Sequence, residues 1–126
     1  HKECNMPDGF SPTGKNVMLD HLGTLAGFMS MHDADPGAAG TTAELSGGSP
    51  AYARKPVSWA VASGGSKPLT GTVTFDVPAG RGATHVGFWS AASGGTFYGS
   101  DALSSPESDY TSQGQYIVNA ATLNIT

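Results

Sequence analysis

The chain has 126 residues, which suits one domain with its own hydrophobic core. It carries only 6 Lys and Arg against 10 Asp and Glu, and the net charge of −4 argues against a nucleic-acid partner. No apolar run approaches the roughly 18–20 residues that span a bilayer, so we expect no membrane partner, and the single Cys4 excludes an internal disulfide.

The N-terminal residues predict an extended arm and then one short helix. Residues 1–12 contain Pro and Gly with little apolar content, which is typical of an extended segment. Thr13 can cap a helix over residues 14–22, because the apolar side chains there have helical spacing and Gly23 suits the position after a helix. We therefore predict an arm over residues 1–12 and a single domain over residues 13–126.

The next part of the chain predicts two strands around a long loop. Apolar residues predict a strand over 25–31, and small polar residues predict a loop over 32–50. Residues 51–62 predict one strand that is interrupted at Pro56. Since proline cannot donate to a β-ladder, we expect this strand at a sheet edge or at a bulge.

Two segments in the middle of the chain alternate strictly between apolar and polar residues. Residues 72–77 and 84–90 flank a Pro-Ala-Gly turn, so we predict that they pair as a hairpin with one buried face. In the second strand the buried face carries Val86 and Phe88. Trp89 has the opposite parity, and we expect it to face outward or to be covered by the helix or by a neighbour.

The C-terminal part predicts a short returning strand, a loop and a long last strand. Residues 96–99 should pair back with Phe97 inward, and residues 101–112 should form a loop. Residues 115–125 predict one strand whose change of parity a bulge near Ala120 would reconcile. Short strands between turn signals thus predict an all-β fold, an antiparallel β-sandwich of jelly-roll or immunoglobulin size with one short N-terminal helix.

The sequence HDAD at residues 32–35 is the best metal-binding candidate, with His21 and His85 as further ligands. A hard cation would take the carboxylates, and zinc would take the imidazoles. We favour a simpler interpretation, in which Asp33 and Asp35 cap the turn that follows them. We therefore expect no bound metal.

Sequence patterns of catalytic sites are missing. The Gly-x-Ser-x-Gly elbow does not occur, Cys4 lies in the predicted arm, and the Gly-Gly pairs lack the Gly-Lys-Ser/Thr of a phosphate-binding loop. Paired carboxylates for glycoside chemistry would have to come from predicted loops. We expect a protein that is not an enzyme, with no catalytic residue and no cofactor.

Five residues are candidates for a partner interface, namely Trp59, Trp89, Tyr98, Arg54 and Lys55. Aromatic residues on strands are usually core or subunit-interface anchors, and a sugar-binding platform is the alternative for these three. The adjacent basic pair predicts either a solvated strand face or a salt bridge to an acidic partner surface.

Six segments between Asn16 and Ile125 form a recognisable pattern, in this order: NVMLDHLG, HDADPG, ELSGGSPAYARKPVSWA, VTFDVPAG, THVGFWSAASGGTFYG and QGQYIVNAATLNI. Their order and spacing resemble a family of small structural proteins of tailed bacteriophages, commonly of actinobacterial hosts. Its members are labelled minor capsid or head-decoration protein, or minor tail or tail-fibre protein. The resemblance implies a non-enzymatic virion component with a β-sandwich fold.

The same resemblance implies other phage structural proteins as partners, either the major capsid protein or tail subunits, and a homo-oligomer in the particle. Because the chain is a lone domain without fibre repeats or coiled-coil heptads, we favour a decoration protein that docks on the capsid shell and stabilises it. The alternatives are a minor tail or tail-fibre protein and, from another class, a carbohydrate-binding module for host attachment.

Overall fold

The computed structural model describes residues 9–125, with one helix and eight strands. These are α1 (Pro12–Leu25), β1 (Phe28–His32), β2 (Lys55–Pro56), β3 (Ser66–Pro68), β4 (Val73–Val77), β5 (Ala83–Trp89), β6 (Phe97–Glu107), β7 (Gly114–Val118) and β8 (Thr122–Asn124). The strand pairs are antiparallel, so the predicted antiparallel all-β fold with one helix is confirmed. Most of the predicted arm, residues 1–8, lies outside the described residues.

The helix α1 begins earlier and ends later than the sequence predicts. Ser11, and not Thr13, is the N-cap, because its Oγ accepts a hydrogen bond from the backbone nitrogen of Gly14 at 3.0 Å. Gly23 lies inside the helix, where the missing side chain leaves room for Lys67. At 14 residues, the one helix in the described part of the chain lacks the length and apolar content that a membrane crossing requires.

Polar contacts hold α1 against the strand β3 and the turn before it. Lys67 Nζ lies 2.7 Å from Asp20 Oδ1, which also accepts from the backbone nitrogen of Ala62 at 2.9 Å. The hydrogen bond from Lys67 holds the pKa of Asp20 below its ordinary value. Asn16 Oδ1 accepts from the backbone nitrogen of Gly65 at 3.0 Å. These contacts decide which side of the helix is turned outward.

The strands form one four-stranded sheet and two two-stranded ribbons. The sheet has the order β2-β1-β5-β6, and the ribbons pair β3 with β8 and β4 with β7. Within the sheet, β1 and β5 pair from Phe28 opposite Trp89 to His32 opposite His85. The predicted hairpin between β4 and β5 is therefore wrong. Alternation of apolar and polar residues predicts the buried face of each strand but not the strand with which it pairs. Residues 78–82 connect β4 in the ribbon to β5 in the sheet.

The strand predicted over residues 51–62 is reduced to the short strand β2. Only Lys55 and Pro56 pair with β1, and β2 lies at the edge of the sheet, as the proline predicts. Beyond it, Trp59 forms only an isolated bridge with Leu69. The predicted strand thus lacks a continuous ladder, and Val61 near its end is 79% exposed.

The C-terminal strands differ most from the prediction. β6 continues through residues 101–107, where a loop is predicted, because an exposed edge strand needs little apolar alternation. The single predicted last strand is two strands, since β7 pairs with β4 and β8 pairs with β3. The change of parity near Ala120 marks the point where the chain leaves one ribbon for the other, so the predicted bulge is replaced by a change of partner.

The hydrophobic core lies between the four-stranded sheet and the β4–β7 ribbon. The predicted apolar face of β4, which comprises Val73, Phe75 and Val77, is buried. Met31 and Val86 from the sheet belong to the same cluster and are 0% and 1% exposed. One face of the sheet thus packs on the core, and the opposite face is called the outer face below.

Candidate functional site

Trp89 lies on the outer face and is covered by its own chain. Its exposed fraction is 4%, and it packs outside the main hydrophobic cluster. The Arg54 guanidinium lies 3.7 Å from its ring centroid, and the Phe97 ring lies 5.1 Å away. The prediction that Trp89 lies off the core face is confirmed, and the residues that pack on its ring are Arg54 and Phe97 of the same chain. The prediction that Phe97 points inward is wrong, since the residue that packs against the core is Tyr98.

Arg54 ties together distant segments of the chain around this ring. It donates to both carboxylate oxygens of Glu44, at 2.9 and 3.0 Å, and to the backbone oxygens of Ala91 and Gly94, at 3.1 and 2.8 Å. Burial opposes the ionisation of Glu44, but hydrogen bonds from Arg54 and Tyr52 hold its pKa below the ordinary value. The ion pair of Arg54 is thus made within the chain, and only 8% of its side chain stays exposed.

A buried hydrogen-bond network centred on His32 lies on the same face. Trp89 Nε1 donates to Ser30 Oγ at 2.9 Å, and this oxygen lies 2.7 Å from His32 Nε2. His32 Nδ1 lies 2.8 Å from the carbonyl oxygen of Thr42. Since a carbonyl only accepts, Nδ1 carries the proton, and in the neutral ring Nε2 accepts from the Ser30 hydroxyl. This arrangement satisfies every polar atom of the three side chains, and burial lowers the pKa of His32.

Glycine makes room for this network and for the loop above it. A Cβ on Gly87 would lie 2.5 Å from Ser30 Oγ and 3.2 Å from both His32 Nε2 and Phe97 Cε1. A Cβ on Gly40 would overlap the ring of Phe97. The loop after β1 therefore lies directly on the sheet, and the outer face is a second packed layer built largely from polar groups.

The predicted metal candidates are engaged in separate structural contacts. Asp35 Oδ1 accepts from the backbone nitrogen of Gly37 at 2.9 Å, so its predicted role in capping the turn is confirmed. Asp33 pairs with Arg81 instead of capping the turn, and the hydrogen bond from Arg81 holds the pKa of Asp33 below its ordinary value. Within residues 9–125, no group of three or more His, Cys, Asp or Glu side chains is placed to hold a metal ion. The two further histidines are His21, exposed on α1, and His85 in β5.

The three candidate aromatic residues do not form a common platform. The Trp59 ring packs edge-on against Phe88, with 5.6 Å between the ring centroids, and its nitrogen donates to a backbone oxygen at 2.9 Å. Because Phe88 and Trp89 are successive residues of β5, Trp59 and Trp89 lie on opposite faces of the sheet. Tyr98 packs against the core, and Lys55 is half-buried in the edge strand. A role of these residues in a partner interface stays a prediction.

One exposed surface was not predicted, namely the outward face of α1, which carries Phe10, Val17, Met18 and Leu25. Val17 is 65% exposed, and the others are 36–42% exposed. The apolar spacing predicts the helix but not its orientation. The burial of Leu19 in the core and the ion pair of Asp20 with Lys67 orient it, and both depend on residues far away in the sequence. Clustered apolar side chains on a surface are typical of a protein contact.

A second unpredicted feature is an open groove between β6 and the last two strands, called the β6–β7 groove. It has a volume of about 410 Å³, and a smaller adjoining cavity of about 260 Å³ shares Asp101, Thr122 and Asn124 with it. Tyr116 crosses the groove, because its hydroxyl donates to the backbone oxygen of Ser105 at 2.6 Å. The sequence could not indicate the groove, since one of its walls was predicted to be a loop.

The described residues form an all-β protein whose buried polar groups serve its own packing. A comparison with protein-family models gives its class, because the model described as "Podophage GP4 fiber I protein gp80" matches residues 10–126. The chain belongs to this family. It is accordingly a bacteriophage structural protein and a component of the virion. No curated protein and no solved structure matches the chain.

Proposed function

We propose that this chain is a non-enzymatic component of a phage tail fibre that works by docking with other tail subunits. The observation that carries the proposal is the family match over residues 10–126, whose description names a fibre protein. That description favours the tail-fibre alternative over the capsid-decoration role that the sequence analysis preferred. Decoration of the capsid shell is the competing location within the same class of virion protein.

The use of polar side chains supports a non-enzymatic role. In the described part of the chain, three ion pairs engage charged groups internally, namely Glu44 with Arg54, Asp33 with Arg81 and Asp20 with Lys67. The buried imidazole of His32 is held between a hydroxyl and a carbonyl, with no free ring nitrogen. A general base must reach a substrate proton, and these groups face their own structural partners instead.

The outward face of α1 supports docking to a neighbouring subunit. Val17 and Met18 are exposed on a surface helix, next to Phe10 at the N-terminal end and Leu25 at the C-terminal end. The face carries no Asp, Glu, Lys or Arg, so little charge would lose water on contact. We propose this face for contact with tail subunits, and the predicted homo-oligomer in the particle would use the same kind of surface.

Separation of heads and tails tests the location. Particles would be dissociated into filled or empty heads and free tails, and the chain would be measured in each fraction by quantitative mass spectrometry against the major capsid protein. The fibre proposal expects the chain in the tail fraction, at a copy number that is a small multiple of the tail symmetry. Recovery only with heads, in proportion to the major capsid protein, would favour decoration and contradict the proposal.

A further inference from the structure

The β6–β7 groove concentrates hydrogen-bonding groups that the fold does not use. Asp101, Ser104, Asn119 and Thr122 line it, and none of their side chains has a hydrogen-bond or ion-pair partner among residues 9–125. Buried polar side chains elsewhere in the described residues are committed to the fold, as the Arg54 and His32 clusters show. The groove, by contrast, gathers exposed donors and acceptors on both of its walls.

The chemistry of the lining restricts what could bind there. The groove and the adjoining cavity contain no Lys, Arg or His, and Asp101 is their one charged side chain. A phosphate, sulfate or carboxylate ligand would meet a carboxylate without a compensating cation. Alcohol and amide groups both donate and accept, which matches a ligand that carries many hydroxyl groups.

Two further observations indicate a preformed site. The hydrogen bond from Tyr116 to Ser105 joins the two walls, so the groove need not close before a ligand binds. Asn124 Oδ1 accepts from Ser66 at 2.6 Å, which leaves the amide hydrogens of Asn124 free to donate toward the cavities that it lines. The volume of about 410 Å³ falls within the range of about 300–1,000 Å³ that is typical of small-molecule sites.

We propose that the β6–β7 groove binds a neutral oligosaccharide, with Asp101, Ser104 and Asn119 bonding its hydroxyl groups and the Tyr116 ring packing against a sugar face. This site is not the sugar-binding platform of aromatic residues that the sequence offered as an alternative. That platform would need Trp59 and Trp89 on one surface, and they lie on opposite faces of the sheet. The inference deepens the proposed fibre function and rests on it for its biological meaning, since a fibre is the part of a virion that a cell-surface glycan can reach.

The test is a titration of the purified full chain, labelled with ¹⁵N and followed by NMR, with neutral tri- and tetrasaccharides of glucose, galactose, mannose and rhamnose. Each sugar is added to about 10 mM, so that a site with a Kd on the order of 1 mM would be close to saturation. A sulfated trisaccharide and a short uncharged β-strand peptide are titrated in parallel. We expect at least one neutral sugar, and neither of the other two probes, to shift the amide signals of β6 and β7.

Matched variants locate the binding. Asp101→Ala removes a groove carboxylate, and Asp109→Ala removes an exposed carboxylate outside the groove. We expect about tenfold weaker binding for Asp101→Ala and unchanged binding for Asp109→Ala. No shift with any neutral sugar, shifts elsewhere on the protein, equal effects of the two variants, or binding of only the peptide or the sulfated sugar would each overturn the proposal. The head-and-tail separation measures location independently, so the failure of one proposal is not mistaken for the failure of the other.

Discussion

Gly87→Ala is the most informative single change for the account of the outer face. The new Cβ would come 2.5 Å from Ser30 Oγ and 3.2 Å from His32 Nε2, so Ser30 must leave its position between Trp89 and His32. Overpacking costs about 1–3 kcal/mol, and a buried polar group without a partner costs about 1–3 kcal/mol more. The reduced freedom of the unfolded chain offsets up to about 1 kcal/mol.

Together these contributions give about 1–6 kcal/mol, and we expect Gly87→Ala to lower the free energy of unfolding by about 3 kcal/mol and the Tm by roughly 10 °C. Urea unfolding monitored by tryptophan fluorescence measures both the loss and any change around Trp89. The control is Gly99→Ala in the adjacent strand β6, where a Cβ has no neighbour within 4 Å, and there we expect a change of less than about 1 kcal/mol. Equal stability of the two variants would refute the idea that the His32 network is tightly packed.

Three further predictions concern the same surfaces. Because burial lowers the pKa of His32, the folded protein binds a proton there less readily than the unfolded chain. The neutral His32 therefore contributes fully to stability above a pH of about 6.5, and this contribution declines as the pH falls below that value. The carboxylates lose their own contribution only below a pH of about 4.5. His32→Gln should remove the slope between pH 7.5 and 5 in urea unfolding at about half-unit steps, whereas the control His21→Gln, on the exposed helix face, should keep it. Trp89→Ala and Phe75→Ala should each lower the free energy of unfolding by about 3–5 kcal/mol, because both rings are buried. Calorimetry measures the loss. A loss below about 1 kcal/mol for Trp89→Ala would mean that its ring is free to contact a partner instead. Val17→Glu should reduce incorporation into particles without changing the Tm by more than about 3 °C. The control is Thr72→Glu, which adds the same charge at an exposed position outside α1 and should leave incorporation unchanged. Normal incorporation of Val17→Glu would exclude the outward face of α1 as the docking surface.

Local chemistry made part of this structure predictable from the sequence. The alternation in β4 defines which side chains are buried, Pro56 places its strand at an edge, and Asp35 caps its turn. Each of these features depends on residues within a few positions of one another. The parity of Trp89 is of the same kind, because successive residues in a strand point to opposite faces.

The structural features that could not be predicted from the sequence depend on contacts between distant residues. β4 and β5 are neighbours in the chain, but they pair with β7 and with β1 and β6, and alternation carries no information about such choices. The cover of Trp89 comes from Arg54, for which the adjacent basic pair predicted either a solvated strand face or a salt bridge to an acidic partner surface. The β6–β7 groove requires a strand in a region of exposed polar residues, which resembles a loop in composition.

The central claim, that this virion component belongs to the tail fibre, is tested most directly by a reconstruction of the whole particle. The account predicts that density matching the four-stranded sheet, its two ribbons and α1 lies in fibres attached to the tail, with the outward face of α1 against a neighbouring subunit. Density for this domain only on the capsid shell would contradict the claim.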